Sequence, residues 1–206
     1  FHAVKNLTTA EGGALTWKEV PGLDNEKLYT EFMLMSLHGQ SKDAFHKNQP
    51  GAWEYDIISL AYKCNMTDIT AAIGLAQLER YPGLLERRRE IINRYDAALK
   101  KYDVKVLEHY NEKNQSSGHL YLMRIPKCDA EERNEIIKRL AEEGISTNVH
   151  YKPLPMMTAY RKLGHKIENY PNAYHQYENE ITLPLHTKLT DDDVEYIVQK
   201  VQHQLG

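Results

Sequence analysis

Cysteine is scarce in this chain, with Cys64 and Cys128 the two among 206 residues. Two thiols cannot build the disulfide framework of a small secreted scaffold, and they fit a reducing compartment, here taken as the cytoplasm. Positive charge is not in excess either. The formal net charge is −3, so no global basic field gathers phosphates, and a nucleic-acid partner is disfavoured. No apolar run approaches the roughly 20 residues that span a bilayer, and no signal-peptide pattern opens the chain. The ten histidines show no HExxH-type spacing, so no metal site is expected. Neither a GxSxG elbow nor a P-loop occurs, which weakens serine-hydrolase and nucleotide-hydrolysis readings. An initiator methionine is missing as well. The sequence opens at Phe1 inside what reads as a functional motif, and is expected to be a piece of a longer polypeptide.

What is present is ordinary globular material, 41% hydrophobic and 27% charged, enough for one sizeable core or one domain with part of a second. Residues 14–17 read as a short strand. The spacing of Leu28, Phe32 and Met35 predicts a helix over residues 25–38, stopped by Gly39. A polar stretch from His38 to Asp56 is too long for a tight turn, and loops of this length are commonly functional. Thr67 is placed to cap a helix through residue 81. Pro82 then sits near the start of a second helical run, either a new helix or a kinked continuation. The charged run from Glu86 to Glu90 reads as a solvated helix face. Residues 104–107 and 119–125 read as strands, Asp129 and Glu132 as a capping box for a helix ending at Gly144, and residues 145–151 as a strand. Residues 181–185 form another expected strand, and Thr190 caps a last helix with Val194, Ile197, Val198 and Val201 on one stripe. Strands and helices mixed in this way indicate an α/β or α+β layer around one sheet.

Residue chemistry alone offers two candidates. Lys5 lies between Phe1, His2, Ala3 and Val4 on one side and Thr8, Thr9, Gly12 and Gly13 on the other. That setting is less solvated than a typical surface lysine's, and a neutral amine attacks a carbonyl to form an imine. His150 stands in NVHYKPLP, at an expected strand end before two rigid prolines, where it could present a donor or acceptor to a polyol or phosphate. The cysteines are expected to be small buried hydrophobes.

The opening FHAVKNLTTAEGGAL resembles the SFHxxKxxTxGEGG segment around the pyridoxal-phosphate lysine of the DegT/StrS family of sugar aminotransferases. The resemblance continues in family order through HGQSKDAF, GAWEYDI, YKCNMTDITAAIGLAQL, RRREIINRY, HLYLMRI, GISTNVHYKPL and ITLPLHTKLTDDDVEYIV, essentially the whole chain. It implies the aspartate-aminotransferase fold (fold type I, α/β). Residues 1–86 would be the end of the large domain, and residues 87–206 the small C-terminal α/β domain. It further implies pyridoxal 5'-phosphate as cofactor, a homodimer, and amino-group transfer from an amino acid, usually glutamate, to a keto group on a nucleotide-linked sugar for surface-polysaccharide or aminosugar synthesis.

On this resemblance Lys5 is the catalytic lysine that forms the internal Schiff base, and family dehydratases with histidine there contrast with this chain. Where many members read GxNxR in a loop that reaches the neighbouring subunit's cofactor phosphate, this chain has Ala61, Lys63 and Asn65. Lys63 and Asn65 are therefore the cofactor-binding candidates beside Lys5, in a version that resembles aminotransferases acting on UDP-4-keto-pentoses. An ammonium and an amide can both donate to phosphate. His150 and Tyr151 match a position near the sugar. The family's pyridine-nitrogen aspartate, its ring-stacking residue and the serine before Phe1 would all lie upstream. The competing reading is a truncated, non-catalytic chain, or a fold relative that dimerises without turnover; loss of most of a large domain would expose an apolar sheet face and favour self-association.

Overall fold

A computed structural model describes residues 1–41 and 54–206, and the chain divides into two compact units, Phe1–Glu79 and Arg80–Gly206. The middle of the stretch from His38 to Asp56, expected to contact nucleotide or sugar, lies outside the described residues.

In the first unit, α1 covers Asn25–Ser36 and starts where the Asp24 carboxylate accepts from the backbone N–H groups of Glu26 and Lys27. That satisfies two of the donors a helix start leaves open. The helix stops two residues earlier than expected. Gly39 then donates its backbone N–H to Leu34 at 2.7 Å, and its φ is +69°. A Cβ at Gly39 would sit 2.0 Å from the Ser59 carbonyl oxygen, so only glycine fits this close approach. No hydrophobic residue of this unit is buried among the described residues, whereas Leu60 is 99% exposed. Residues 14–17 form no strand.

One helix, α2 (Asp68–Leu99), carries Pro82 inside it, so the residues on either side of the proline belong to one element. Thr67 acts at its start, its hydroxyl oxygen accepting from the Thr70 backbone N–H at 3.3 Å.

The second unit holds the core. Strands β1 (Lys105–Val106), β2 (Tyr121–Arg124) and β3 (Glu180–Leu183) form an antiparallel sheet with β2 central. Tyr121 pairs with Leu183 and Met123 with Ile181. Helix α3 (Ala130–Glu142) begins with the expected Asp129–Glu132 capping box, and packs on β3 and on α6 (Asp191–Leu205). Short helices α4 (Thr158–Lys162) and α5 (Pro171–Tyr177) lie between. Ile91, Ile92 and Tyr95 of α2, Leu140 of α3, Ile181 of β3 and Val194 and Val201 of α6 are essentially inaccessible to water, the apolar burial that drives folding.

Two expectations fail here. Residues 145–151 are not a strand; a single bridge joins Asn148 to Thr182, because Asn148 alone exchanges both backbone hydrogen bonds with β3. The run from Glu86 to Glu90 is not simply a solvated face. Arg88 is buried and its Nη1 donates to the carbonyl oxygens of Gly118 at 2.9 Å and Leu185 at 3.0 Å. Desolvation lowers its guanidinium pKa, and the carbonyl partners compensate for the lost water.

Candidate active site

Lys5 lies in a tight loop. Its backbone N–H donates to the His2 carbonyl at 3.0 Å, and Thr9 closes the loop by donating to Phe1 at 3.0 Å. Thr9 itself is buried, its hydroxyl bonded to the Glu11 carbonyl at 2.5 Å. This fixes the backbone and leaves the Lys5 side chain exposed. The shielded environment expected for that lysine is therefore not present among the described residues, since Ala3, Val4, Gly12 and Gly13 are themselves exposed.

Lys63 and Asn65 are positioned by backbone pairing with the end of α1. The segment before them runs antiparallel to residues 35–41, through a bridge between Leu37 and Lys63. The hydrogen bonds are Tyr62 to Met35 at 3.0 Å, His38 to Tyr62 at 2.7 Å and Cys64 to Ser36 at 2.9 Å. Their side chains meet: the Lys63 ammonium donates to the Asn65 side-chain oxygen. With that oxygen occupied, the Asn65 amide presents its two N–H donors, and the Lys63 ammonium keeps others. This donor set fits a phosphate, and the exposed Lys5 amine fits an aldehyde. Asn65 also lines a cavity of about 900 Å³ whose other walls include Trp17, Tyr29, Phe32, Met33 and Tyr62. Cys64 is exposed, unlike the buried residue expected, because the backbone pairing that fixes Lys63 turns this edge to solvent; Cys128 is buried.

His150 and Tyr151 belong to the second unit. Their rings meet edge to face with centroids 4.6 Å apart; Tyr151 is exposed and His150 half-buried. The His150 backbone N–H donates to Glu180 Oε2 at 2.8 Å, and His150 Nδ1 lies 2.8 Å from the Thr182 hydroxyl. Glu180 and Thr182 are the partners of His150 that the sequence reading did not single out. A signal existed: they sit two apart in a strand and so share a face, where a charged residue needs a partner. Burial pushes the Glu180 carboxyl pKa up, while the Thr182 hydroxyl, the His150 N–H and the Arg133 guanidinium oppose that shift. Just beyond Tyr151, Lys152, Arg161, His165, Lys166 and Glu168 line a cavity of about 880 Å³. Three fixed cations against one carboxylate suit an anionic group. Among the described residues no cluster of histidine, cysteine, aspartate and glutamate could hold a metal ion, and no helix is long and apolar enough to cross a membrane.

A model of the DegT/DnrJ/EryC1/StrS aminotransferase family matches residues 1–202. The chain belongs to this family. Within it, the spore coat polysaccharide biosynthesis protein SpsC of Bacillus subtilis (strain 168) is 36% identical over 206 residues, covering 98% of this chain and 51% of SpsC. The chain spans about half the length of the curated relatives it matches. Among solved structures, Spr1654 of Streptococcus pneumoniae, named as a sugar aminotransferase and seen in its PMP-form, superposes with a TM-score of 0.92. It is 56% identical, covering 99% of this chain and 51% of that one; a PLP-form gives 0.90. Helicobacter pylori PseC, an aminotransferase involved in the biosynthesis of pseudoaminic acid, gives 0.71 at 27% identity, over 87% of this chain and 46% of its own. The family fold is thus the α/β aspartate-aminotransferase type expected from the motifs.

Proposed function

We propose that this chain is part of a pyridoxal-phosphate-dependent sugar aminotransferase that moves an amino group from an amino acid, most simply glutamate, to a keto group of a nucleotide-linked sugar. The observation that carries this reading is the family match across residues 1–202, joined to a lysine at the position where the family motif has its cofactor lysine. Residues 1–86 are read as the end of the large domain and residues 87–206 as the small domain. The working form is read as a homodimer in the cytoplasm, and the pathway as surface-polysaccharide or aminosugar synthesis.

When bound, pyridoxal phosphate supplies the electron sink for cleaving and forming the C–H bond beside the nitrogen. Lys5 would hold the cofactor through its side-chain amine, and that amine, when free, would hold or move the proton at the reacting carbon on Nζ. Lys63 and Asn65 would donate to the phosphate of the neighbouring subunit's cofactor. His150 and Tyr151 contact the sugar, and the cations around Lys152 and Arg161 favour the diphosphate that links it to a nucleotide.

The test is a coupled assay in which the protein receives glutamate and a nucleotide-linked 4-keto sugar, with 2-oxoglutarate as readout. Cofactor-dependent 2-oxoglutarate formation that requires the keto sugar supports the reading. Cofactor binding without any turnover on a panel of keto sugars would favour a fold relative without this activity.

A further inference from the structure

We infer that Thr9 is a positioning residue: its methyl group seats the Lys5 loop on Gly74 of α2, and this one contact sets where the Lys5 amine stands. The consequence for the amine rests on the reading of Lys5 as the cofactor lysine; the seat itself does not.

Residues 1–9 form a ring of backbone with Lys5 at its middle. The Thr9 N–H closes the ring on the Phe1 carbonyl, and inside it the Lys5 N–H donates to the His2 carbonyl, both at 3.0 Å. The Thr8 hydroxyl donates to the Phe1 carbonyl at 3.2 Å and accepts from the Ala10 N–H at 3.1 Å. These bonds fix the shape of the ring, but each of them is local and none ties it to a helix. His2, Ala3, Val4 and Lys5 are all exposed. Thr9 is the exception. It is 1% exposed, in a unit where no hydrophobic residue is buried among the described residues. Its cover therefore marks one specific contact and not membership of a core.

That contact is with Gly74, in the second turn of α2. A Cβ added at Gly74 would lie 3.0 Å from Thr9 Cγ2, inside the roughly 3.5–4.0 Å of an ordinary carbon–carbon contact. The Thr9 methyl thus rests against a stretch of helix that carries no side chain. Glycine is among the poorest residues for a helix interior, and the close approach of Thr9 gives a reason for it at this position. The hydroxyl serves the loop instead. It donates to the Glu11 carbonyl at 2.5 Å, and a Cβ added at Gly12 would stand 2.9 Å from the same oxygen. One side chain therefore holds the loop to itself and to the helix. Lys5 is four residues from Thr9 in the same ring, so a displaced seat moves the Lys5 backbone with it. Misplacement of a reacting group by 1 Å can slow its reaction about a hundredfold.

The experiment is a cycle of Gly74→Ala, Thr9→Ser and the two together, each shown to be folded by circular dichroism. Hydrogen exchange at the residue-9 amide, followed by NMR without cofactor, reads the seat. Pyridoxyl incorporation at Lys5, from borohydride quenches timed after addition of pyridoxal phosphate, reads the amine. Gly74→Ala introduces a better helix former, yet its methyl strikes Thr9; Thr9→Ser keeps the hydroxyl and leaves a void. Each single change should speed exchange about fivefold and slow labelling of Lys5 about tenfold. The double variant carries the methyl from one side of the contact to the other and should recover most of both, which two independent destabilising changes do not do. Unchanged exchange in either folded single variant overturns the seat, as does a double variant worse than both singles. Altered exchange with unchanged labelling overturns the positioning of the amine. Absence of any Lys5 adduct in the natural protein overturns the cofactor reading and the consequence drawn from it, while the exchange cycle decides the seat separately.

Discussion

Arg88 Nη1 donates to the carbonyl oxygen of Leu185 at 3.0 Å, joining α2 to the chain just past β3 across 97 residues. The same nitrogen serves Gly118, so one buried cation organises two separate backbone turns. Replacement by leucine leaves those carbonyls without a donor, and the expected loss of stability is about 3 kcal/mol. Urea unfolding at an unchanged m-value measures it. Arg88→Lys should recover less than half, since an ammonium lacks the planar fork. A loss below about 1 kcal/mol in Arg88→Leu would contradict this role.

At the start of α6, Asp191 pairs with Arg94 at 2.6 Å and Arg87 at 2.9 Å. Their hydrogen bonds and charges hold its carboxyl pKa below the usual 3.8. A depressed folded-state pKa stabilises above the unfolded value and is lost as pH falls through the folded one. The difference in Tm between the natural protein and Asp191→Asn should be constant at neutral pH and shrink below roughly pH 4. The pair is exposed, so about 1 M salt should also reduce the difference. A difference that grows on acidification would have the wrong sign.

The two thiols should react very differently. Cys64 is exposed and Cys128 buried, and burial pushes the Cys128 thiol pKa up. An alkylating reagent on the native protein should label Cys64 fully before Cys128 is detectable, with equal labelling in denaturant, as mass spectrometry would show. Early labelling of Cys128 would indicate that α3 and its flank open readily.

The N-terminal half of α2 is expected to associate. Ile69 and Leu75 are 77% and 70% exposed, and apolar surface of this kind seeks cover. Light scattering should show an average mass rising with protein concentration, and Ile69→Ser with Leu75→Ser should reduce that rise. A concentration-independent monomer in the natural protein would count against it.

How far the sequence could be read varies along the chain. The last helix was legible because Thr190 and Asp193 form a reciprocal cap ahead of a four-residue apolar stripe; α3 was legible for the same reason. Residues 145–151 misled because Ile145, Val149 and Tyr151 alternate like a strand, yet only Asn148 exchanges backbone-to-backbone hydrogen bonds with β3. Alternation describes faces and cannot see whether a partner edge is available. Arg88 was hidden inside a charged run whose default is solvation, since burial of one arginine depends on carbonyls 30 and 97 residues away. Motif resemblance pointed to Lys5, Lys63 and Asn65 in the first unit and to His150 and Tyr151 in the second. The supporting Glu180 and Thr182 lay beyond it because their role arises from a hydrogen-bond chain that no local pattern encodes.

The central claim is that Lys5 is the cofactor lysine. Its most direct test is borohydride reduction after incubation with pyridoxal phosphate, followed by peptide mapping of the protein. The account predicts one stoichiometric pyridoxyl adduct, confined to Lys5 and abolished by Lys5→Ala. Weak labelling spread over many lysines, or an unchanged pattern in Lys5→Ala, would contradict it.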